Sequence, residues 1–275
     1  VFIRNLMKLK GIIFDVDGTM ADTEELHRQA FNEAFHEFNL NWHWSKTDYY
    51  RLLFISGGKE RFKICLEKDK ELKSKIIDPH LFIEELHQCK SNHYRKMLSN
   101  GHIQLRPGIK RLINEAQDKG LKLGIATSSC LANLKTLINS TLNIDPKEIF
   151  NTIISSDNVS DKKPSPIAYQ YVLAGLGLKP ESCVAIEDTQ NGNTAALSAG
   201  IRTIITTHSY TIDNDFTGAS LVTNHLGEAK NTFKTRYGYA YNKSYVDVEL
   251  LDHIICHQTN SSSEFILPEN ISNVY

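Results

Sequence analysis

The sequence predicts an α/β protein: a doubly wound, mainly parallel sheet with an all-helical cap inserted after the first strand. Three observations carry this. Short apolar runs recur along the chain, helical patterns separate them, and one long stretch holds helical patterns alone. The first run, Leu9–Phe14, contains Gly11 and ends at Asp15, as a buried strand would. Leu121–Ala126, Phe150–Ile154, Cys183–Ile186 and Thr203–Ile205 resemble it. Between them, Ile109, Leu112, Ile113 and Ala116 share one helical face, and Gly120 supplies the stop. A second helix is expected to open at Pro164 and run through Tyr169 and Val172 to Gly175. A third covers Thr189–Ala199 and ends at Gly200. Strands alternating with helices of this length imply right-handed crossovers and parallel pairing.

From Thr23 to Ile103 the pattern changes. Leu26, Ala30, Phe31, Ala34, Phe35 and Phe38 form one apolar helical stripe, and amphipathic helices follow through Tyr94 and Met97. The expected division is therefore a core of residues 9–22 and 104–224, a helical cap over 23–103, and a C-terminal extension over 225–275. Within the extension Val246–Ile255 reads as a helix. Thr259–Ser263 and the last dozen residues read as a frayed tail.

The 275 residues are 41% hydrophobic and 23% charged, enough for a core without staples. With 31 basic against 32 acidic residues the net charge is −1, so no general field for nucleic acid or an anionic membrane exists. A phosphate would need a local site. The five cysteines form no C-x-x-C pair and are odd in number, which argues for a reducing compartment. No apolar run is long enough to span a bilayer, and the strand-like start leaves no room for a signal sequence. A cytoplasmic monomer acting on a small molecule is expected.

Each apolar run ends in polar residues, where an open α/β sheet places its ligands. The first ends in Asp15-Val16-Asp17-Gly18-Thr19, the second in Thr127-Ser128-Ser129, the fourth in Glu187-Asp188, and Lys162-Lys163 follows the third. A parallel sheet would bring Asp15, Asp17, Glu187 and Asp188 to one cleft. Four uncompensated carboxylates there are strongly unfavourable, so a hard divalent cation is implied, and beside a phosphate magnesium is the usual one. Singly, each motif has a plainer reading. Gly18 serves a turn, Thr127–Ser129 cap a helix, Lys162-Lys163 are a solvated pair, and Glu187-Asp188 complement a helix dipole. Their order at successive strand ends carries the functional reading.

D-x-D-G-T, then Thr or Ser, then Lys-Pro, then Glu-Asp resembles the haloacid dehalogenase superfamily. The resemblance implies a magnesium-dependent phosphotransferase working through an aspartyl phosphate. It implies Asp15 as nucleophile, Asp17 as general acid and then base, and Thr127 and Lys163 as phosphoryl ligands, with Ser128 among the substrate-binding residues. It implies Asp15, the backbone carbonyl of Asp17, Glu187 and Asp188 as metal ligands. Asp17 would have to be partly protonated when needed, as a charged neighbour would favour.

In the cap, Asp22 and Glu25 have capping-box spacing, and Gly57-Gly58 read as a turn. The functional reading is that a closing cap presents Arg51, Lys59 or Arg61 to the far end of a substrate, with Asp22, Tyr50 and Gly58 beside them. His27 reads as a packed or hinge residue. From about Lys10 to Thr206, D-V-D-G-T-M-A-D-T-E-E-L-H-R, N-W-x-W, Y-R-L-L, G-G-K-E-R and L-R-P-G-I are similar to the CbbY-type branch. That branch removes the 1-phosphate of xylulose 1,5-bisphosphate, and Asp22 stands where it usually has Glu. β-Phosphoglucomutase shares Asp15, Asp17, His27, Lys163 and Glu187-Asp188, so a sugar-phosphate mutase is the alternative. A catalytically idle phosphate-binding protein is the reading from another class.

Overall fold

The computed structural model describes residues 9–101 and 103–256, and the tail read at Thr259–Ser263 and beyond lies outside them. Its centre is a seven-stranded sheet: β1 (Gly11–Phe14), β2 (Lys122–Ala126), β3 (Thr152–Ile154), β4 (Cys183–Glu187), β5 (Arg202–Thr206), β6 (Leu221–Thr223) and β7 (Thr235–Gly238). The spatial order is β3-β2-β1-β4-β5-β6-β7, parallel throughout except for β7. The doubly wound expectation holds. β1 is buried along its whole length, as a central strand covered on both faces must be.

Side chains alternate between the two faces. Ile12, Phe14, Leu123, Ile125 and Val184 meet α6 (Ile109–Asp118), α7 (Leu131–Leu142) and α10 (Val248–Cys256). Ile13, Ala126 and Ala185 meet α8 (Ile167–Leu176) and α9 (Gln190–Ser198) on the other face. Gly124 is required by close packing, because a Cβ there would press on Val172 at 2.5 Å.

Several boundaries differ from the sequence reading. The third strand begins at Thr152, and Phe150 instead packs edge-on against Phe14 at 6.3 Å. α8 starts at Ile167, not Pro164, because Lys163 and Pro164 belong to the loop that reaches the site. The break placed at 224 does not match a break in packing. β7 pairs with β6 across it, and Val248, Leu250, Leu251, Ile254 and Ile255 of α10 lie in the main core. β7 escaped notice because it is a short, mostly exposed edge strand without an apolar run.

Five of the six helices between β1 and β2 build the cap: α1 (Glu24–Glu37), α2 (Lys46–Leu52), α3 (Gly58–Lys68), α4 (Lys70–Lys75) and α5 (Pro79–Asn100). They have a core of their own around Phe31, Phe35, Trp44, Tyr49, Phe62 and Leu86. Burying each large side chain of this kind contributes roughly 1.5–3 kcal/mol. Asp78 caps α5 through the amides of His80 and Leu81, and Pro79 opens it. Among the described residues no helix is long and apolar enough to cross a membrane.

Candidate active site

Strand register builds the site. Phe14 pairs with Ile125 on one side and Ile186 on the other, so the residue after β1 lies level with the ends of β2 and β4. Asp15, Thr127, Glu187 and Asp188 therefore meet at the carboxyl edge, and all are buried. Lys163 enters from the loop after β3. Its Nζ lies 2.6 Å from Asp15 Oδ1 and 2.5 Å from Glu187 Oε1. Glu187 Oε1 also accepts from the Tyr169 hydroxyl at 2.6 Å. Asp188 accepts from Thr19 Oγ1 at 2.9 Å and contacts His208 Nε2 at 2.8 Å.

Burial, with Glu187 and Asp188 nearby, pushes the Asp15 carboxyl well above its ordinary range, although Lys163 opposes this. Burial would lower the Lys163 ammonium, but Asp15 and Glu187 raise it. One lysine does not balance three carboxylates. Donor oxygens of Asp15, Glu187 and Asp188 lie within 4.8 Å of one another, an all-oxygen set suited to a hard cation such as magnesium. Gly18, at φ +83°, is demanded here: a Cβ would collide with the Asp188 carboxylate.

The turn after β1 is fixed from below by Arg106. Its guanidinium donates to the carbonyls of Gly18, Thr206 (2.9 Å), Thr207 (2.7 Å) and Asn224 (2.6 Å). One side chain thus ties the Asp15–Thr19 turn to the ends of β5 and β6.

Asp17 has a separate environment. Its Oδ1 accepts from Thr23 Oγ1 at 2.8 Å and the Tyr94 hydroxyl at 3.0 Å, and meets His27 Nε2 at 2.9 Å. His27 stacks on Tyr94 at 3.9 Å, and its Nδ1 lies 2.6 Å from Lys90 Nζ. An ammonium only donates, so Nδ1 accepts, and the bonding pattern assigns His27 the neutral Nε2–H tautomer. Burial and Lys90 also lower the His27 pKa. Burial would raise the Asp17 carboxyl, but attraction to His27 and the three hydrogen bonds hold it well below the ordinary carboxylate range. Because His27 is neutral, the hydrogen bonds dominate. The sequence reading expected a neighbouring charge to favour protonation of Asp17; the donors on Oδ1 reverse this.

The carboxyl edge and the cap enclose a cleft of about 480 Å³. Asp15, Asp17, Gly58, Lys59, Arg61, Thr127, Ser128, Lys163 and Asp188 line it, as the sequence reading grouped them. Glu187 sits behind Lys163, fully buried. Asp22, Tyr50 and Arg51 are not among the lining residues, and Asp22 and Arg51 are exposed. Asp22 makes no capping box. Thr23 is the N-cap of α1, and its hydroxyl is spent on Asp17. Sequence reasoning missed Lys90, Tyr94, Arg95, Asn133 and His208. Lys90 and Tyr94 stand four apart on α5, so one helical face carries both, and that spacing was the available signal.

A doubly wound core with acids, a threonine and a lysine at its carboxyl edge, roofed by a helical cap, suits phosphoryl transfer, and the family match makes the chain a phosphoric monoester hydrolase. The chain belongs to the haloacid dehalogenase-like hydrolase family, whose profile matches residues 12–206. It is 44% identical over 214 residues to Protein CbbY of Rhodobacter capsulatus, covering 78% of this chain and 92% of that one. Among solved structures it resembles CbbY from Rhodobacter sphaeroides in complex with phosphate, with a TM-score of 0.74 and 38% identity over 80% of this chain and 96% of that one. A mutant of the same protein, solved with xylulose-(1,5)bisphosphate, aligns with a TM-score of 0.73 and 38% identity over 81% and 98%.

Proposed function

We propose that this phosphatase removes a phosphoryl group from a five-carbon ketose bisphosphate of the xylulose 1,5-bisphosphate kind, through a phosphorylated Asp15. The observation that carries the reading is Asp15 at the end of β1, buried and held by Lys163 beside Glu187 and Asp188.

Asp15, Glu187 and Asp188, with the backbone carbonyl of Asp17, would hold magnesium, which when bound masks carboxylate charge against an approaching dianionic phosphate. Asp15 attacks phosphorus, and the bond to the sugar oxygen breaks as the bond to Asp15 forms. Lys163 and the Thr127 hydroxyl hold the phosphoryl oxygens as charge moves onto them. Asp17 protonates the departing sugar oxygen, then takes a proton from the water that attacks phosphorus and frees Asp15. The geometry around Asp17 suits the second half: three hydrogen bonds keep Oδ1 ionised, leaving Oδ2 for the water. The first half needs a protonated Asp17, and withdrawal of those donors would raise its pKa. Inorganic phosphate release should stop in excess chelator and return with magnesium; full release in chelator would refute the metal assignment.

A bisphosphate brings a second dianion, and most cations of the cleft are already engaged. Lys163 serves Asp15 and Glu187, and Lys90 serves His27. Lys59 is paired with Glu84 at 2.5 Å. Arg61 donates to the carbonyls of Leu52 and Ile55 and to the Tyr49 hydroxyl. Arg95 bonds only neutral amide oxygens, Asn133 Oδ1 at 3.1 Å and Asn92 Oδ1 at 2.6 Å. The Lys162 ammonium makes no ion pair or hydrogen bond among the described residues, with Glu60 the carboxylate that acts on it most. Lys162 and Arg95 line the cleft together with Cys130 and Asn133, and Arg95 bonds Asn133 in the first turn of α7. The distal phosphate is assigned to Arg95 and Lys162, in place of Arg51, Lys59 and Arg61. Each charge-assisted contact contributes roughly 1.5–3 kcal/mol, about one to two decades. Arg95→Ala and Lys162→Ala should lower kcat/KM for the bisphosphate by that factor and spare its monophosphates. Equal losses on both substrates would mean these side chains only support the cap.

A further inference from the structure

Away from the cleft, Glu37, Cys89 and His93 bring a carboxylate, a thiol and an imidazole together where α1 meets α5. Their donor atoms lie within 4.8 Å of one another. Cys89 and His93 stand four apart on α5 and so share one helical face, while Glu37 is the last residue of α1. None of the three lines the catalytic cleft.

The bonding at this cluster shows how its atoms are aimed. His93 Nε2 lies 2.8 Å from Glu37 Oε2, and the Cys89 sulfur lies within 4.8 Å of both donor atoms. Cys89 itself is 8% exposed, whereas the Glu37 and His93 side chains are 60% and 26% exposed. The thiolate position is sheltered, and the other two arms can adjust toward solvent.

We infer that Glu37, Cys89 and His93 form a second metal site, one that takes a borderline-soft divalent ion of the zinc type. The donor chemistry selects the ion. Sulfur, imidazole nitrogen and one carboxylate oxygen suit zinc or cobalt, whereas the oxygen-only set at Asp15, Glu187 and Asp188 suits magnesium. Tetrahedral zinc with these ligands needs donor atoms about 3.3–3.6 Å apart. From 2.8 Å the His93–Glu37 pair opens by under an ångström, and no other separation has to close from more than 4.8 Å.

The charges balance. The Cys89 thiol loses its proton to solvent as the sulfur–metal bond forms, and a His93 imidazole bound through Nε2 carries its hydrogen on Nδ1. One thiolate and one carboxylate then cancel the dication, and water takes the fourth position. The ion would pin the end of α1 to α5 and so brace the helices that supply His27 and Lys90 to the Asp17 network.

The test is cobalt titration of the full chain with magnesium saturating the core, read as the near-ultraviolet thiolate-to-cobalt absorption. Wild type should give the band with one equivalent. Cys89→Ser should abolish it, and Glu37→Gln, at an exposed position that does not threaten folding, should weaken binding tenfold or more. Zinc should raise the Tm of wild type but not of Cys89→Ser. Absence of the band in wild type would overturn the inference, as would a band of equal strength in Cys89→Ser, which would place the metal on another cysteine.

Discussion

Asp15→Asn is expected to reduce turnover by roughly 10⁴-fold or more while the protein remains folded. The amide keeps the shape of the carboxylate but is no nucleophile. Folding should survive because burial, together with the neighbouring Glu187 and Asp188 charges, already pushes Asp15 toward its neutral form. The Lys163 ammonium keeps Glu187 as a partner at 2.5 Å. Steady-state phosphate release and thermal unfolding, measured together, separate the two effects. Near wild-type turnover would remove Asp15 from the mechanism.

Lys163→Met should damage both stability and rate. Lys163 is buried, and it is the cation in direct contact with Asp15 and Glu187. Deleting one partner of a buried ion pair costs about 3–5 kcal/mol, because the other charge stays behind unpaired. For a chain of this length that corresponds to a Tm fall of roughly 6–20 °C. Magnesium should recover part of the loss, since a dication at the same carboxylates relieves their repulsion. The rate should fall by roughly 10²–10³-fold, as for loss of one preorganised donor to a developing oxyanion. A Tm fall unaffected by magnesium would separate the lysine from the metal site.

The parts of the site at strand ends were legible because a parallel sheet turns sequence order into spatial order. Asp15, Thr127 and Asp188 each follow an apolar run, and register alone brings them level. The surroundings of Asp17 were not legible. Thr23, His27, Lys90 and Tyr94 come from helices whose packing sets their direction, and a polar residue on a helix looks the same in sequence whether it faces a carboxylate or water. The cap cations show this most clearly. Arg51 and Lys59 belong to the same stretch as Arg61, yet Arg51 is exposed and Lys59 is neutralised by Glu84, a helix away. α10 was legible as a helix but not as part of the core, because its burial depends on neighbours distant in the chain.

The covalent intermediate is the claim on which the mechanism rests, and it can be trapped. Acid quench during turnover with xylulose 1,5-bisphosphate, followed by borohydride reduction, converts an aspartyl phosphate to homoserine at the modified position. Peptide mass mapping should find that change at Asp15 in wild type and nowhere in Asp15→Asn. Full phosphate release with Asp15 unmodified, or reduction at a different carboxylate, would contradict the account.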